Sequence, residues 1–184
     1  NISDYAKNMR NHFMIKGLKA VKKNKNFMKP WYYEIDKIGW NYRADEISCA
    51  LGLSQIKRLN VSLKKRRSIV KFYNKNIKAN DIVKLPEIPK NETSNSWHLY
   101  SLSVNFKKLK KTRESVMIRL REKGIETQVH YIPLFLQPYY KNIFKDRLKN
   151  ALQYYNNTLS IPIYTQLKKK DLIYIANSIN KVLS

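Results

Sequence analysis

Two stretches of this 184-residue chain carry side chains suited to holding an anionic or polyhydroxyl ligand. The first is Gly39-Trp40-Asn41-Tyr42-Arg43-Ala44-Asp45-Glu46, at the entry to a helical pattern. The Asn41 carboxamide can donate to a phosphate oxygen without adding charge. The Arg43 guanidinium can clamp a phosphate or carboxylate through two parallel bonds. A helix entry favours anions already, through its free N–H groups. The second stretch is Gln128-Val129-His130-Tyr131-Ile132-Pro133-Leu134. In a strand, Gln128 and His130 share one face, with Val129 and Tyr131 on the other. Two polar groups at a strand end, before a loop bounded by proline, are well placed for a polyhydroxyl ligand. Each residue also has a plainer reading: Asn41 as a turn residue after Gly39, Arg43 as a surface charge, His130 as a structural histidine. His12, His98 and His130 are far apart in sequence and show no metal-ligand spacing. With only 4 Gly, the chain holds no glycine-rich phosphate loop.

The elements that must position these residues follow from periodicity. Residues 1–12 read as a short helix with Ser3 as N-cap, and 13–29 as loop and short helix. Trp31 to Ile35, after Pro30, reads as a strand. From about Asp45 to Ala79 the pattern is helical without a proline. Ile47 to Leu53 is apolar nearly all round, as in a buried helix, with Cys49 in a packing role. A stripe then follows at Ile56, Leu59, Leu63, Val70, Tyr73 and Ile77. Beyond residue 80 the pattern becomes α+β. Ile82 to Leu85, Ser96 to Phe106 and Ile125 to Tyr131 read as strands, and Ile161 to Ile163 as a short edge strand because Pro162 cannot donate to a ladder. Thr112 is a good N-cap for a helix closed by Gly124 at its C′ position. Further helices are expected from Phe144 or Lys145 to Tyr155, with Leu148, Leu152 and Tyr155 inward, and from Lys169 to Leu183, with Leu172, Ile175, Ala176, Ile179, Val182 and Leu183 as its apolar stripe.

Composition narrows the class. At 43% hydrophobic residues the chain is too apolar to be disordered, and no apolar run approaches the ~18 residues of a membrane helix. The single Cys49 excludes an internal disulfide and fits a reducing, cytoplasmic setting. The net charge of +24 invites a nucleic-acid reading, but it comes from 28 Lys against 9 Arg, accompanied by 19 Asn and spread from Lys7 to Lys181. Nucleic-acid readers favour the planar fork of Arg, so a lysine-coated surface is the expected reading.

The run from Gly39 through Ala50-Leu51-Gly52-Leu53-Ser54-Gln55-Ile56-Lys57-Arg58-Leu59 resembles the segment leading into the long helix of the DegT/DnrJ/EryC1/StrS family. These are pyridoxal-phosphate (PLP) aminotransferases acting on nucleotide-linked keto-sugars. Gln128-Val129-His130-Tyr131 with Gln137-Pro138-Tyr139, and Trp97-His98-Leu99-Tyr100, resemble two further family segments. Arg10-Asn11-His12 resembles a third, with Phe13 where the family usually has Gly. Pro30-Trp31-Tyr32-Tyr33-Glu34 is similar to the branch making UDP-4-amino-4,6-dideoxy-N-acetyl sugars, although Ala44-Asp45 departs from the commoner Met-Thr pair.

The resemblance implies an α/β fold, the C-terminal part of a fold type I aminotransferase. Residues 1–44 would be a remnant of the large PLP-binding domain, 45–79 a long linking helix, and 80–184 the small C-terminal domain. It implies PLP as cofactor, with Asn41 reaching across a homodimer interface to its phosphate. Arg43, Gln128, Val129, His130 and Tyr131 would meet the nucleotide-sugar, and His98 would be structural. Glutamate would be the amino donor, and no nucleic acid or membrane partner is implied. The Schiff-base lysine would lie upstream of Asn1, so the chain by itself is expected to lack transaminase activity. Ile47 to Leu53 would then be exposed. Dehydratase-like chemistry, an inactive split-gene remnant, or a basic nucleic-acid-binding module are the competing readings. The last of these predicts DNA retention whose log affinity falls steeply with log salt concentration. Part of an aminotransferase is expected to show no saturable DNA binding at physiological salt, as a filter-binding titration will check.

Overall fold

The computed structural model describes residues 1–16, 33–35, 37–91, 95–140 and 148–184. The expectations for 17–29, for Trp31 and Tyr32, and for a helix start at 144 or 145 lie outside the described residues. The chain divides into two compact units, Asn1–Lys57 and Arg58–Ser184.

The first unit opens with α1 (Ile2–Met9). Its N-cap is Asn1, whose side chain accepts from the Asp4 N–H at 3.0 Å, and not Ser3. Asn1 stands three residues ahead of the amide it serves, the spacing an N-cap requires. Two short strands, β1 (Met14–Lys16) and β2 (Tyr33–Ile35), pair antiparallel with Met14 opposite Ile35. β1 falls where loop and helix were expected. Phe13 is buried and meets the Tyr5 ring edge-on at 5.2 Å. The helix α2 (Glu46–Lys57) is capped by Asp45, whose carboxylate accepts from the Ser48 N–H and from its hydroxyl, both at 2.8 Å. The bond from the Ser48 amide, then that from its hydroxyl, holds the Asp45 carboxyl below its ordinary range. No residue of α2 is buried, and Ile47 is 83% exposed. Cys49 is exposed too, so the expected packing role is corrected. Nothing within the described residues covers this apolar helix.

The helix expected over 45–79 is two helices. One residue, Arg58, at φ −100° and ψ 0°, separates α2 from α3 (Leu59–Asn76). Of the anticipated stripe, Val70, Tyr73 and Ile77 are buried with Ile69, whereas Ile56 and Leu59 are exposed. The second unit then builds a three-stranded antiparallel sheet in the order β3 (Val83–Lys84), β4 (Tyr100–Val104), β5 (Thr158–Ile161). Between these strands run α4 (Phe106–Leu109), α5 (Arg113–Arg121), a 3-10 turn at Leu134–Leu136, and α6 (Lys149–Asn157); α7 (Lys169–Val182) closes the chain. Leu148 is exposed rather than inward.

Period-2 patterning on β4 places Tyr100, Leu102 and Val104 in the core and leaves Ser103 exposed. Ile69, Val70 and Tyr73 of α3, Val116 and Leu120 of α5, and Leu172, Ile175, Ile179 and Val182 of α7 complete that core. α7 packs against α3 and α5, and α6 against β4. Thr112 caps α5 as expected, accepting from the Ser115 N–H at 3.1 Å, and Gly124 takes φ 70° after it. Asn180 ties α7 to the end of α3, accepting from the Lys78 N–H and donating to the Asn76 carbonyl, both at 2.9 Å.

Two strands are shorter than anticipated. The 96–106 strand begins only at Tyr100, because Trp97 takes φ 52° and turns the chain before it. The 125–131 segment makes only one bridge, Gln128 with Ser160. On that side of β5 the next hydrogen-bonded positions are Pro162, which has no N–H to give, and Thr158, whose N–H already donates to Tyr154 O at the end of α6, so the ladder extends in neither direction. The edge strand expected at 161–163 accordingly ends at Ile161.

Replacing fully buried Leu120 by Ala is expected to cost about 2–5 kcal/mol, whereas Leu51→Ala on exposed α2 is expected to stay within about 0.5 kcal/mol. Urea unfolding of the chain, followed by circular dichroism, will compare the two.

Candidate functional site

In the first unit, Asn41 and Arg43 are carried by a backbone clasp. The Trp40 N–H donates to Met9 O at 2.7 Å, the His12 N–H to Trp40 O at 3.0 Å, and the Tyr42 N–H to Arg10 O at 2.9 Å. Gly39 makes that clasp possible. A Cβ there would lie 2.8 Å from Met9 O and 3.0 Å from the His12 backbone, so any larger residue would force the two segments apart. Asn11 and Asn41 form an isolated bridge, and Arg43 Nη1 donates to Asn11 Oδ1. The Trp40 and Tyr42 rings, one on each side of Asn41 in sequence, stack with centroids 5.7 Å apart. Asn41 is exposed, and its carboxamide has no partner among the described residues. Phe13, where the family resemblance would put Gly, has φ 51°, a left-handed conformation that Gly adopts freely and Phe does not.

In the second unit a cleft of 520 Å³ opens beside β5 and the start of α7, within the size range of small-ligand sites. Its walls include Ile161, Pro162, Ile163, Leu167 and Ile175, with His98, Glu126, Gln128, His130, Ser160, Tyr164, Asp171 and Tyr174 as polar members. Several of these are committed to the fold. Asp171 accepts from the Lys168 N–H at 2.9 Å, Tyr174 donates to Lys123 O at 3.0 Å, and Glu126 pairs with Arg121 at 3.3 Å. The Gln128 side-chain carboxamide and the His98 ring have no protein partner among the described residues. His130 uses only Nδ1, 2.9 Å from Ser160 Oγ.

The structure thus brings Gln128 and His130 to one cleft, as the strand parity predicted. Val129 and Tyr131 do not line it. Tyr131 is 73% exposed and meets the His130 ring edge-on at 4.7 Å. His98, expected to be structural, is exposed at the cleft rim instead, because the turn at Trp97 buries the indole and swings its neighbour out.

Arg66 escaped the sequence reading. From α3 its Nη1 reaches the carbonyls of Trp97 (2.9 Å), His98 (3.3 Å) and Ile163 (3.2 Å), pinning two walls of the cleft together. Inside the run Lys64-Lys65-Arg66-Arg67 no signal marks it as the one that reaches the cleft walls. Tyr73 donates to Pro162 O at 2.8 Å and Tyr100 to Asn74 Oδ1 at 2.7 Å; burial pushes both phenols well above their ordinary range. Among the described residues no cluster of His, Cys, Asp or Glu could hold a metal ion, and no helix is long and apolar enough to cross a membrane.

Comparison with known proteins sharpens the picture. The profile of the DegT/DnrJ/EryC1/StrS aminotransferase family matches residues 1–180. The UDP-4-amino-4,6-dideoxy-N-acetyl-beta-L-altrosamine transaminase of Campylobacter jejuni is 32% identical over 154 residues, 83% of this chain and 40% of that protein. Among solved structures, Helicobacter pylori PseC, an aminotransferase of pseudoaminic acid biosynthesis, superposes with a TM-score of 0.83 at 28% identity. It covers 98% of this chain and 45% of its own. The sugar aminotransferase Spr1654 of Streptococcus pneumoniae, in its PMP form, shares the fold at a TM-score of 0.82 and 24% identity, covering 99% and 45%. The chain therefore spans less than half the length of these relatives. The superposition supports the expected C-terminal part of a fold type I aminotransferase.

Removing the Arg66 guanidinium leaves three carbonyls short of a donor. Arg66→Ala is expected to destabilise the chain by about 1–3 kcal/mol, and Arg66→Lys to recover only part of that, since an ammonium lacks the planar fork. Thermal unfolding of the three forms will measure it.

Proposed function

Because the chain belongs to the DegT/DnrJ/EryC1/StrS aminotransferase family, we propose that it is part of an enzyme that aminates a nucleotide-linked 4-keto-6-deoxy sugar for glycan biosynthesis. Glutamate is the proposed donor, PLP the coenzyme and a homodimer the working form. The observation that carries the reading is the cleft beside β5, where Gln128 and His130 present free polar atoms while the neighbouring carboxylates are already engaged.

Residues of both units divide the work. Asn41 is exposed, its flanking residues are held by the clasp to residues 9–12, and its carboxamide is uncommitted among the described residues. That fits one uncharged donor to the phosphate of a coenzyme held by the neighbouring subunit. It is one contact and not a complete cradle, so the remaining phosphate contacts belong to residues other than these. Arg43 has one N–H spent on Asn11 and others left for an anionic group of the substrate. When bound, PLP supplies an electron sink for the carbon that loses or gains the amino group. Gln128 and His130 orient the sugar nucleotide by hydrogen bonds, Tyr131 steadies the His130 ring by its edge contact, and Val129 sets the spacing of the two polar side chains. None of the lysines described here is assigned the coenzyme-bearing role. The surplus of positive charge, +24 overall, favours approach of an anionic substrate.

In the enzyme that contains these residues, Asn41→Ala is expected to weaken PLP retention about tenfold, the size of one lost hydrogen bond to a charged group. His130→Ala is expected to raise KM for a UDP-linked 4-keto sugar by a similar factor while leaving coenzyme retention intact. Equilibrium dialysis against PLP and steady-state kinetics will separate the two effects. Unchanged PLP affinity in Asn41→Ala defeats the phosphate role, and unchanged KM in His130→Ala defeats the substrate role.

A further inference from the structure

A chain of three side chains runs through the wall of the cleft. Ser101 on β4 and Ser160 on β5 are cross-strand partners. Their hydroxyl oxygens lie 2.8 Å apart, and the Ser160 oxygen lies 2.9 Å from His130 Nδ1. Ser160 is only 4% exposed, so water competes little for its hydroxyl. The Gln128 and Ser160 backbones exchange both their hydrogen bonds, at 3.0 and 2.8 Å, which fixes His130 two residues away.

The place of the leftover proton decides which way the chain runs. Each serine owns one donor, and a neutral imidazole owns one. If His130 Nδ1–H donated to Ser160, Ser160 would donate to Ser101. The Ser101 proton would then have no protein acceptor among the described residues. In the opposite direction Ser101 donates to Ser160 and Ser160 donates to Nδ1, so the proton left over is the Nε2–H of a ring that lines the cleft. One proton is left over either way, and it is better placed in the cleft, where water or a ligand accepts it, than on half-buried Ser101, which does not line the cleft, so the second direction wins.

We infer that Ser160, backed by Ser101, is a positioning residue that holds neutral His130 with its proton on Nε2, so that this wall of the cleft offers the ligand a hydrogen-bond donor. The complementary group is an oxygen that accepts: a phosphoryl oxygen of the nucleotide or a carbonyl oxygen of the sugar portion. The identity of the ligand rests on the proposed function; the tautomer is a property of the chain itself.

The test has two arms. First, the ¹⁵N resonances of the His130 ring are recorded at a pH above the ordinary histidine range, where the imidazole is neutral. Wild type is expected to show a protonated Nε2 and a bare Nδ1. Ser160→Ala is expected to lose that preference, and Ser101→Ala, which disturbs the fold less, to lose it in part. A wild-type Nδ1–H, or a tautomer ratio that neither variant moves, overturns the inference. Second, binding of UDP and of UDP-N-acetylglucosamine is measured by calorimetry. Ser160→Ala is expected to weaken UDP-N-acetylglucosamine about tenfold. An equal loss for UDP assigns the accepting oxygen to the diphosphate, and an unchanged UDP affinity assigns it to the sugar portion. Undiminished UDP-N-acetylglucosamine affinity in Ser160→Ala overturns the donor role. If wild type binds neither nucleotide, the proposed function fails, and the resonances still decide the tautomer.

Discussion

The register of β4 against β5 is the constraint on which the second unit depends. Tyr100 stands opposite Ile161, Ser101 opposite Ser160 and Leu102 opposite Leu159. A slip of one residue would turn Leu102 and Val104 outward and bring Ser101 and Ser103 into the core. It would also part the two serine hydroxyls that back His130. Both the apolar packing and the polar wall of the cleft therefore follow from one pairing. That pairing is secured by the burial of all four β5 residues, Thr158 to Ile161.

Around this ladder, the cleft is kept open by groups that never face a ligand. Arg66 holds the Trp97 turn to the chain leaving β5, and Tyr73 holds Pro162 from the other side. Asp171 is committed to capping α7 and Tyr174 to the end of α5. The consequence is a division of labour: Asp171 and Tyr174 serve the backbone and Glu126 pairs with Arg121, while the Gln128 carboxamide and the His98 imidazole remain free among the described residues. A ligand with many oxygens and a net negative charge meets donors there rather than engaged acids.

The first unit obeys a different constraint, the close approach of residues 39–42 to residues 9–12. Only a residue without Cβ fits at position 39, and the approach leaves Asn41 displayed between Trp40 and Tyr42, whose backbones are hydrogen-bonded to residues 9–12. Ahead of α2, Asp45 caps the helix while the helix itself keeps its apolar side chains exposed. An all-round apolar helix stripped of neighbours is the mark of an element whose packing partners lie outside these contacts. It agrees with a chain that spans 40% of its Campylobacter relative.

Much was legible from the residues alone because it depends on local chemistry and period. Thr112 and Gly124 bracket α5, the stripe of α7 faces the core, and the alternation along β4 is the alternation of its residues. The parity that brings Gln128 and His130 together belongs to the same class. Proximity between distant segments was not legible, since periodicity carries no information about which residues meet. Nothing in a run of four basic residues tells that Arg66 reaches the cleft walls, nothing local pairs Ser101 with Ser160, and nothing before Trp97 tells that its backbone turns and sends His98 to the cleft. Family resemblance named the chemistry to look for. Only the tertiary arrangement, by satisfying some polar groups and leaving others free, decided which side chains are available to perform it.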